Sequence, residues 1–399
     1  MRQEKKGVFY ALKYCFCKMR INELNYFKHI ACWRTRGDSM NPQSENNLEL
    51  TSYRLTLLLA FQLLIIIAPV SADDHFYSDE NRTIFSSPRS AALAGSDRVF
   101  ANDASPFTNP AMLGYEDRAH QVALSYAGFF GNTFSTSILS SRMKPDPASG
   151  IGISLSYLYV PDIQTNLGFD LDPASGEPVY DPSKIVSSFA SDLYFRCGYG
   201  HRFTGLLRAI DFGLGAAITA KRSNLVGWTG YGIGVDGGGY VSFAGPGIAI
   251  GLYGENLTTS YLYWSSAYQD VAWPHARLGI GWKKDIRDIY GRIQLTYESA
   301  DFLGNDGINS LMAGDESDTT VMPERVRLSE DPASFLMLGK AGAEYTIFDR
   351  VALRIGVGLP NAVSFGGGMY LFDRSFTVDF AYLVHELAGT YQLGISYQW

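Results

Sequence analysis

The feature that most constrains this chain is an alternation of apolar with small or polar residues that recurs in segment after segment. Its clearest copy is the C-terminal stretch Gly389 to Trp399, G-T-Y-Q-L-G-I-S-Y-Q-W. Tyr391, Leu393, Ile395, Tyr397 and Trp399 fall on one face, and Gln392, Gly394, Ser396 and Gln398 on the other. This period of two is the signature of an extended strand. An apolar face with aromatics near its ends suits either a soluble core or lipid, with rings at the membrane interface. One strand does not separate the two. Repetition, closure and an export signal do.

The same pattern predicts strands at 118–128, 132–142, 150–160, 187–201, 208–221, 230–243, 246–256, 274–284, 289–299, 335–347, 350–358, 363–372, 375–384 and 389–399. Strands of about ten residues match tilted membrane strands, whereas strands of soluble domains are commonly about 5 to 6 residues. An even number allows an antiparallel sheet to close, which removes the unpaired edges that hydrocarbon does not tolerate. The long connections 161–186, 257–273 and 300–334 all follow odd-numbered strands, so they lie at one end. The other end has short turns such as Ala244-Gly245, Phe348-Asp349 and Asp373-Arg374. The expected fold class is therefore all-β, a transmembrane antiparallel barrel of about 14 strands over residues 118–399.

Facing follows from the alternation. Ile151, Ile153, Leu155, Tyr157 and Tyr159 point outward against Gly152, Ser154 and Ser156. Charges within strands fall repeatedly on the inward set: Asp192, Arg196, Asp211, Lys221, Asp236, Glu255, Arg277, Arg292, Glu298, Glu344, Arg354 and Asp379. Arg or Lys facing mid-bilayer costs on the order of 2 to 4 kcal/mol, so a membrane barrel sends these residues to its lumen. Seven acids against five bases nearly balance, and they read as pairs, since an unpaired charge in a low-dielectric interior is costly.

Leu55 to Val70 is an apolar run preceded by Arg54 and followed by Ser71-Ala72, the pattern of a secretory signal cut after Ala72. It is shorter than the roughly 20 residues a spanning helix needs. Residues 1–39 carry Cys15, Cys17 and Cys32 and read as a non-native upstream extension, with Met40 as initiator and 40–72 as signal peptide. Removing residues 1–72 takes away 10 of 33 basic and 5 of 40 acidic residues and changes the net charge from -7 to -12. So acidic a chain is no nucleic-acid binder, and its one remaining cysteine, Cys197, excludes an internal disulfide framework. Residues 73–117 read as a polar lead followed by small residues without sustained alternation.

Within that segment, S-P-R-S-A-A-L-A-G-S-D-R-V-F-A-N-D-A-S-P-F-T-N-P-A-M-L resembles the N-terminal part of the FadL and PorV/PorQ group of outer-membrane proteins. G-A-E-Y-T-I-F-D-R-V-A-L-R-I-G-V, S-F-G-G-G-M and V-D-F-A-Y are similar to the PorV branch. The resemblance implies a fourteen-stranded barrel in a bacterial outer membrane, with an N-terminal plug that carries Asn109, Pro110 and Ala111. It implies either uptake of hydrophobic small molecules or, as the alternative, a part in type IX secretion or surface attachment without transport. The partners implied are outer-membrane lipids, the barrel assembly machinery, and a hydrophobic ligand or a secreted protein. Tyr391, Leu393, Tyr397 and Trp399 are the expected C-terminal assembly signal.

No enzyme constellation emerges. Gly232-Ile-Gly234-Val-Asp-Gly237 matches G-x-G-x-x-G literally, but the alternation continues through Tyr240 as a strand where a dinucleotide site needs a helix. His75, His120, His201, His275 and His385 stand in no G-x-S-x-G or H-E-x-x-H setting. The acidic loops, with Asp170, Asp172, Glu177 and Asp181 in one and residues 314–318 in the other, lack EF-hand spacing and read as solvated. No cofactor, catalytic residue or metal site is expected. N-terminal sequencing of the exported protein is expected to start at Asp73; a start that retains residues 1–39 would overturn the signal-peptide reading.

Overall fold

The computed structural model describes residues 87–101, 108–115, 118–166, 185–207, 210–243, 245–258, 260–266, 269–286, 290–304, 328–358, 363–385 and 388–399, with the short strands Asp170–Leu171 and Pro178–Val179. The expected upstream extension 1–39 and signal 40–72 lie outside these residues, as do the side chains of both acidic loops.

Fourteen strands form the wall. They are β1 (His120–Phe129), β2 (Phe134–Asp146), β3 (Ser149–Asn166), β4 (Ile185–Leu207), β5 (Ile210–Leu225), β6 (Trp228–Phe243) and β7 (Ile248–Glu255). The second half is β8 (His275–Ile286), β9 (Gly291–Glu298), β10 (Lys340–Ile347), β11 (Val351–Val357), β12 (Val363–Leu371), β13 (Phe376–Val384) and β14 (Thr390–Gln398). Each pairs antiparallel with its neighbours in sequence, and β1 closes on β14 with Leu124 opposite Ile395 and Gln121 opposite Gln398. His120 and Trp399 exchange both backbone bonds at 3.1 and 3.0 Å, so the last residue is stitched to the first strand.

The register fixes the barrel's geometry. A row of partners runs from Ile286 through Gly291, Ile347, Val351, Met369, Val378, Ile395, Leu124, Leu139, Leu155, Phe195 and Ala220 to Ile233. Continued by the register Gly237↔Gly254↔Ala276, it re-enters β8 at position 272, a stagger of 286 - 272 = 14 residues. A stagger equal to the strand number tilts the strands by roughly 35°.

Alternation then sorts side chains as the sequence predicts. Leu124, Leu155, Ile280, Leu353, Phe365 and Ile395 are exposed on the outer face, while Ser125, Ser154, Thr296, Ser364 and Gln392 are buried inside. A polar interior and an apolar exterior, closed without an edge, make this an outer-membrane β-barrel.

Two elements depart from expectation. The strand foreseen at 335–347 starts only at Lys340, because α2 (Pro332–Met337) precedes it. Asp331 caps α2 by accepting from the Ser334 backbone N–H at 3.1 Å, and Pro332 starts the helix, where its missing N–H costs nothing. The connection 257–273 contains a hairpin, Ser260–Trp264 with Gln269–Ala272, which pairs with β6 through Tyr261↔Ile233 and Tyr263↔Tyr231. β7 pairs with β6 only from Ile248 to Gly254, so the hairpin continues the wall where β7 stops.

Closure predicts a sharp sensitivity. Deleting Tyr397 to Trp399 removes part of the β1–β14 seam and its outward aromatics, and should abolish heat-modifiable migration and membrane yield. Removing three residues from the connection 300–334 should leave both intact.

Candidate functional site

The lumen holds the N-terminal segment. α1 (Pro88–Ala92) starts where Ser87 Oγ accepts from the Ser90 backbone N–H at 3.2 Å. The chain reverses at Ala94 and Gly95, both with positive φ, and passes Arg98 and Val99. A second stretch ends in the 3₁₀ turn Pro110–Tyr115. Asn109 joins the two parts. Its Oδ1 accepts from the Ala111 N–H at 3.0 Å and its Nδ2 donates to the Arg98 carbonyl at 3.2 Å. Ala91, Ala92, Leu93, Val99, Asn109, Ala111, Met112 and Leu113 are all buried.

The wall accepts this plug by giving up side-chain volume. Gly366 meets Ala92, Gly356 meets Leu93 and Ala94, Gly279 and Gly281 meet Val99, Gly215 and Gly200 meet Pro110, and Gly150 meets Leu113. A Cβ at Gly356 would fall 2.5 Å from the Ala94 nitrogen, and one at Gly279 would fall 2.7 Å from Val99 Cγ1. Contacts that close leave room for hydrogen only.

Two plug arginines supply the electrostatics. Arg89 donates to Glu344 at 2.9 Å and to Gln294 at 3.2 Å. Glu344 also accepts from Arg354 at 2.6 Å, and Arg354 reaches Asp379 at 2.5 Å and Tyr370 at 3.0 Å. Arg98 pairs with Glu298 at 2.8 Å and Glu255 at 3.3 Å, and lies over the Tyr253 ring at 4.9 Å. Glu255 is shared with Arg277 at 3.3 Å. A third cluster belongs to the wall alone: Arg196 bonds Asp236 at 3.0 Å and Thr219 at 2.9 Å, and Asp236 accepts from the Asn256 N–H at 2.9 Å. Glu344, Glu255 and Asp236 each take two donors, which offsets part of the desolvation cost of burying them.

The structure thus brings Glu255, Arg277, Glu344, Arg354 and Asp379 into the two plug clusters, and Arg196 and Asp236 into the wall cluster. Arg292 stands apart from these clusters. It points along the lumen face but sits at the rim, bonded to Asp285 at 2.6 Å and near Asp349 at 3.8 Å, because β9 ends one residue below it. Asp192 is half-buried higher on the wall, opposite Leu158 and Ser223. Asn109, Pro110 and Ala111 lie in the buried plug, and Tyr391, Leu393, Tyr397 and Trp399 line the outer face of β14. Gly232, Gly234 and Gly237 lie in the continuous ladder of β5 with β6.

On the wall, Arg277 bonds Glu255, and Arg354 bonds Glu344 and Asp379. Glu344, Gln294, Glu298 and Glu255 take the plug's arginines. Arg89 and Arg98 were not singled out from the sequence, where their place in an irregular segment gave them no facing. The only signal was that two cations stand among small residues opposite a lumen with an acidic excess.

Comparison with known proteins adds the following. No protein-family model matches the chain, and no curated protein sequence matches it. Among solved structures, it is similar to the Ralstonia pickettii toluene transporter TbuX at 14% identity, covering 78% of this chain and 97% of that one, with a TM-score of 0.43. It is similar to the P. putida toluene transporter TodX at 13% identity, with 78% and 98% covered and a TM-score of 0.46. A Pseudomonas aeruginosa FadL homologue is similar at 12% identity, with 78% and 98% covered and a TM-score of 0.41. The barrel assignment rests on the ladder and on the facing of its side chains rather than on these similarities.

Glu344→Ala should leave Arg89 without its carboxylate and Arg354 with Asp379 alone, and lower stability by on the order of 3 to 5 kcal/mol. Asp285→Ala, at an exposed rim pair, should cost about 1 kcal/mol or less. Urea-unfolding midpoints of the two variants in lipid vesicles check the difference.

Proposed function

We propose that this barrel is a plugged outer-membrane channel for uptake of hydrophobic small molecules, of the FadL type. The observation that carries the reading is the plug itself, fastened inside the lumen by Arg89 and Arg98 and seated on wall glycines. A general porin needs an open aqueous lumen, whereas a carrier of sparingly soluble molecules needs a closed one with an apolar entrance. Such an entrance is offered by the tall side of the wall. Val186, Leu225 and Trp228 share the inward parity of Arg196, Thr219 and Asp236, and they are 44%, 49% and 54% exposed at the end of the wall opposite Phe348-Asp349 and Asp373-Arg374. They give a hydrophobic solute a surface before it reaches the plug. Two of the similar structures are toluene transporters by name; the proposal for this chain rests on its own wall and plug.

A second reading, a PorV-like part in type IX secretion or surface attachment, is favoured by one feature. The same tall wall shows Phe189, Tyr231 and Tyr263 on its outer face near its free end, where a protein could dock. Co-purification of a secreted protein that depends on these aromatics would support that reading over the first.

Asn109, Pro110 and Ala111 are proposed as the core of the closed plug, since Asn109 ties its two halves together. The intact barrel is expected to conduct ions poorly in planar bilayers, and deletion of residues 85–111 to open it. A large steady conductance from the intact protein, unchanged by the deletion, would overturn the plug. Trp228→Glu with Leu225→Glu should slow uptake of an aromatic hydrocarbon into vesicles several-fold while the channel stays closed to ions; unchanged uptake would count against the hydrophobic entrance.

A further inference from the structure

The wall is uneven in height, and on its low side the strands are too short for the membrane they cross. At a tilt of roughly 35°, each residue advances about 2.7 Å along the barrel axis. The 23 residues of β4 therefore rise roughly 60 Å, but the 8 of β9, the 8 of β10 and the 7 of β11 rise only roughly 20 Å. An outer-membrane barrel presents an apolar band about 25 Å tall. The lower edge on this side is marked by aromatic turns, Tyr290 before β9 and Phe348 after β10, whose rings stack at 5.5 Å. Measured from there, the upper edge of the band falls beyond the ends of β9, β10 and β11.

The residues standing at that level are those of α2 and the chain beside it. Tyr297 shares the outward parity of Ile293 and Leu295, so its ring faces lipid, and its hydroxyl donates to the Leu336 carbonyl at 2.9 Å. Gly339 lies against the same ring, 2.6 Å from its Cε2 for an added Cβ. α2 thus stands beside the outward ring of Tyr297 at the upper end of β9. It is held there by a small apolar cluster of Ala300, Phe335 and Leu338, with Phe302 packed on Phe335 at 5.2 Å. Its remaining apolar side chains turn away from this cluster: Leu336 is 53% and Met337 84% exposed. Below them on β9, Leu295 is exposed on the outward face that Tyr297 shares.

We propose that α2 is a membrane-inserted extension of the barrel, which places Leu336 and Met337 among the acyl chains of the outer leaflet and completes the apolar band above β9 to β11. A ninth and tenth residue in β9 and β10 could have done the same work only with more wall; a short capped helix does it with one hydrogen bond and three buried apolar residues. Polar Glu330 and Asp331, at the start of the segment, then stand at the headgroup level.

Site-directed fluorescence tests this on the full chain with its four cysteines replaced by serine. Met337→Cys, labelled with an environment-sensitive dye and reconstituted in phosphatidylcholine vesicles, is compared with Leu295→Cys in the lipid belt and Glu330→Cys in the exposed turn. Because Met337 is exposed, its replacement disturbs no core, and heat-modifiable migration reports folding. The label at 337 should be quenched by acyl-brominated lipid, as at 295, and be protected from aqueous iodide several-fold relative to 330. Iodide quenching equal to that at 330, or no quenching by brominated lipid, would overturn the proposal. Leu336→Cys serves as a second site if the first variant assembles poorly.

Discussion

Hydrocarbon offers no partner to a backbone N–H or C=O, and every other feature of this structure depends on that constraint. It forces each spanning strand to be paired on both sides and therefore forces β1 to meet β14. The seam is complete to its last residue, where His120 and Trp399 bond each other. A change of partner within the described ladder follows the same rule. β7 pairs with β6 up to Gly254 and with β8 up to Glu255, Leu257 still bonds the Val235 carbonyl, and the hairpin from Ser260 takes over the pairing with β6.

Closure creates an interior, and fourteen strands at this stagger leave more room than wall side chains fill. The chain fills it with its own N-terminal segment. Glycines and small residues let the plug backbone approach the wall, and the arginines of the plug meet carboxylates buried on the wall. These two devices are coupled. Glu344 lies on β10 between Arg89 of the plug and Arg354 of β11, so the same carboxylate holds the plug and ties adjacent strands. Loss of either guanidinium would leave it short of a partner in a desolvated place.

The wall's uneven height divides the molecule into two working sides. β3 to β6 carry strands of 16 to 23 residues, which pass well beyond an apolar band of about 25 Å and offer both faces to water at their tips. β9 to β11 have the opposite deficit. The first side is where solutes or proteins are met in the proposed functions, and the second is where the barrel must adapt to the bilayer. Both follow from the same ladder, since a strand's length is set by where its neighbours stop pairing.

Much of this was legible in the chain. Period-two alternation determined the number of strands, their direction and the facing of residues such as Leu155 and Ser154, because a lipid-exposed wall allows only one sorting. The charges of Arg196, Asp236, Glu344 and Arg354 were assigned to the lumen for the same reason. Sequence did not determine what those charges meet. Arg89 and Arg98 lie in a segment without periodicity, so only the folded barrel shows that they reach Glu344 and Glu298, 255 and 200 positions away in the chain. Arg292 has the parity of a lumen residue and the height of a rim residue, and parity carries no information about height. α2 was masked by apolar residues that fit a strand equally well over so short a run; Asp331, Pro332 and the Tyr297 hydroxyl decided otherwise. Local pattern determines which way a side chain points, whereas its partner depends on stagger and closure, which are properties of the whole sheet.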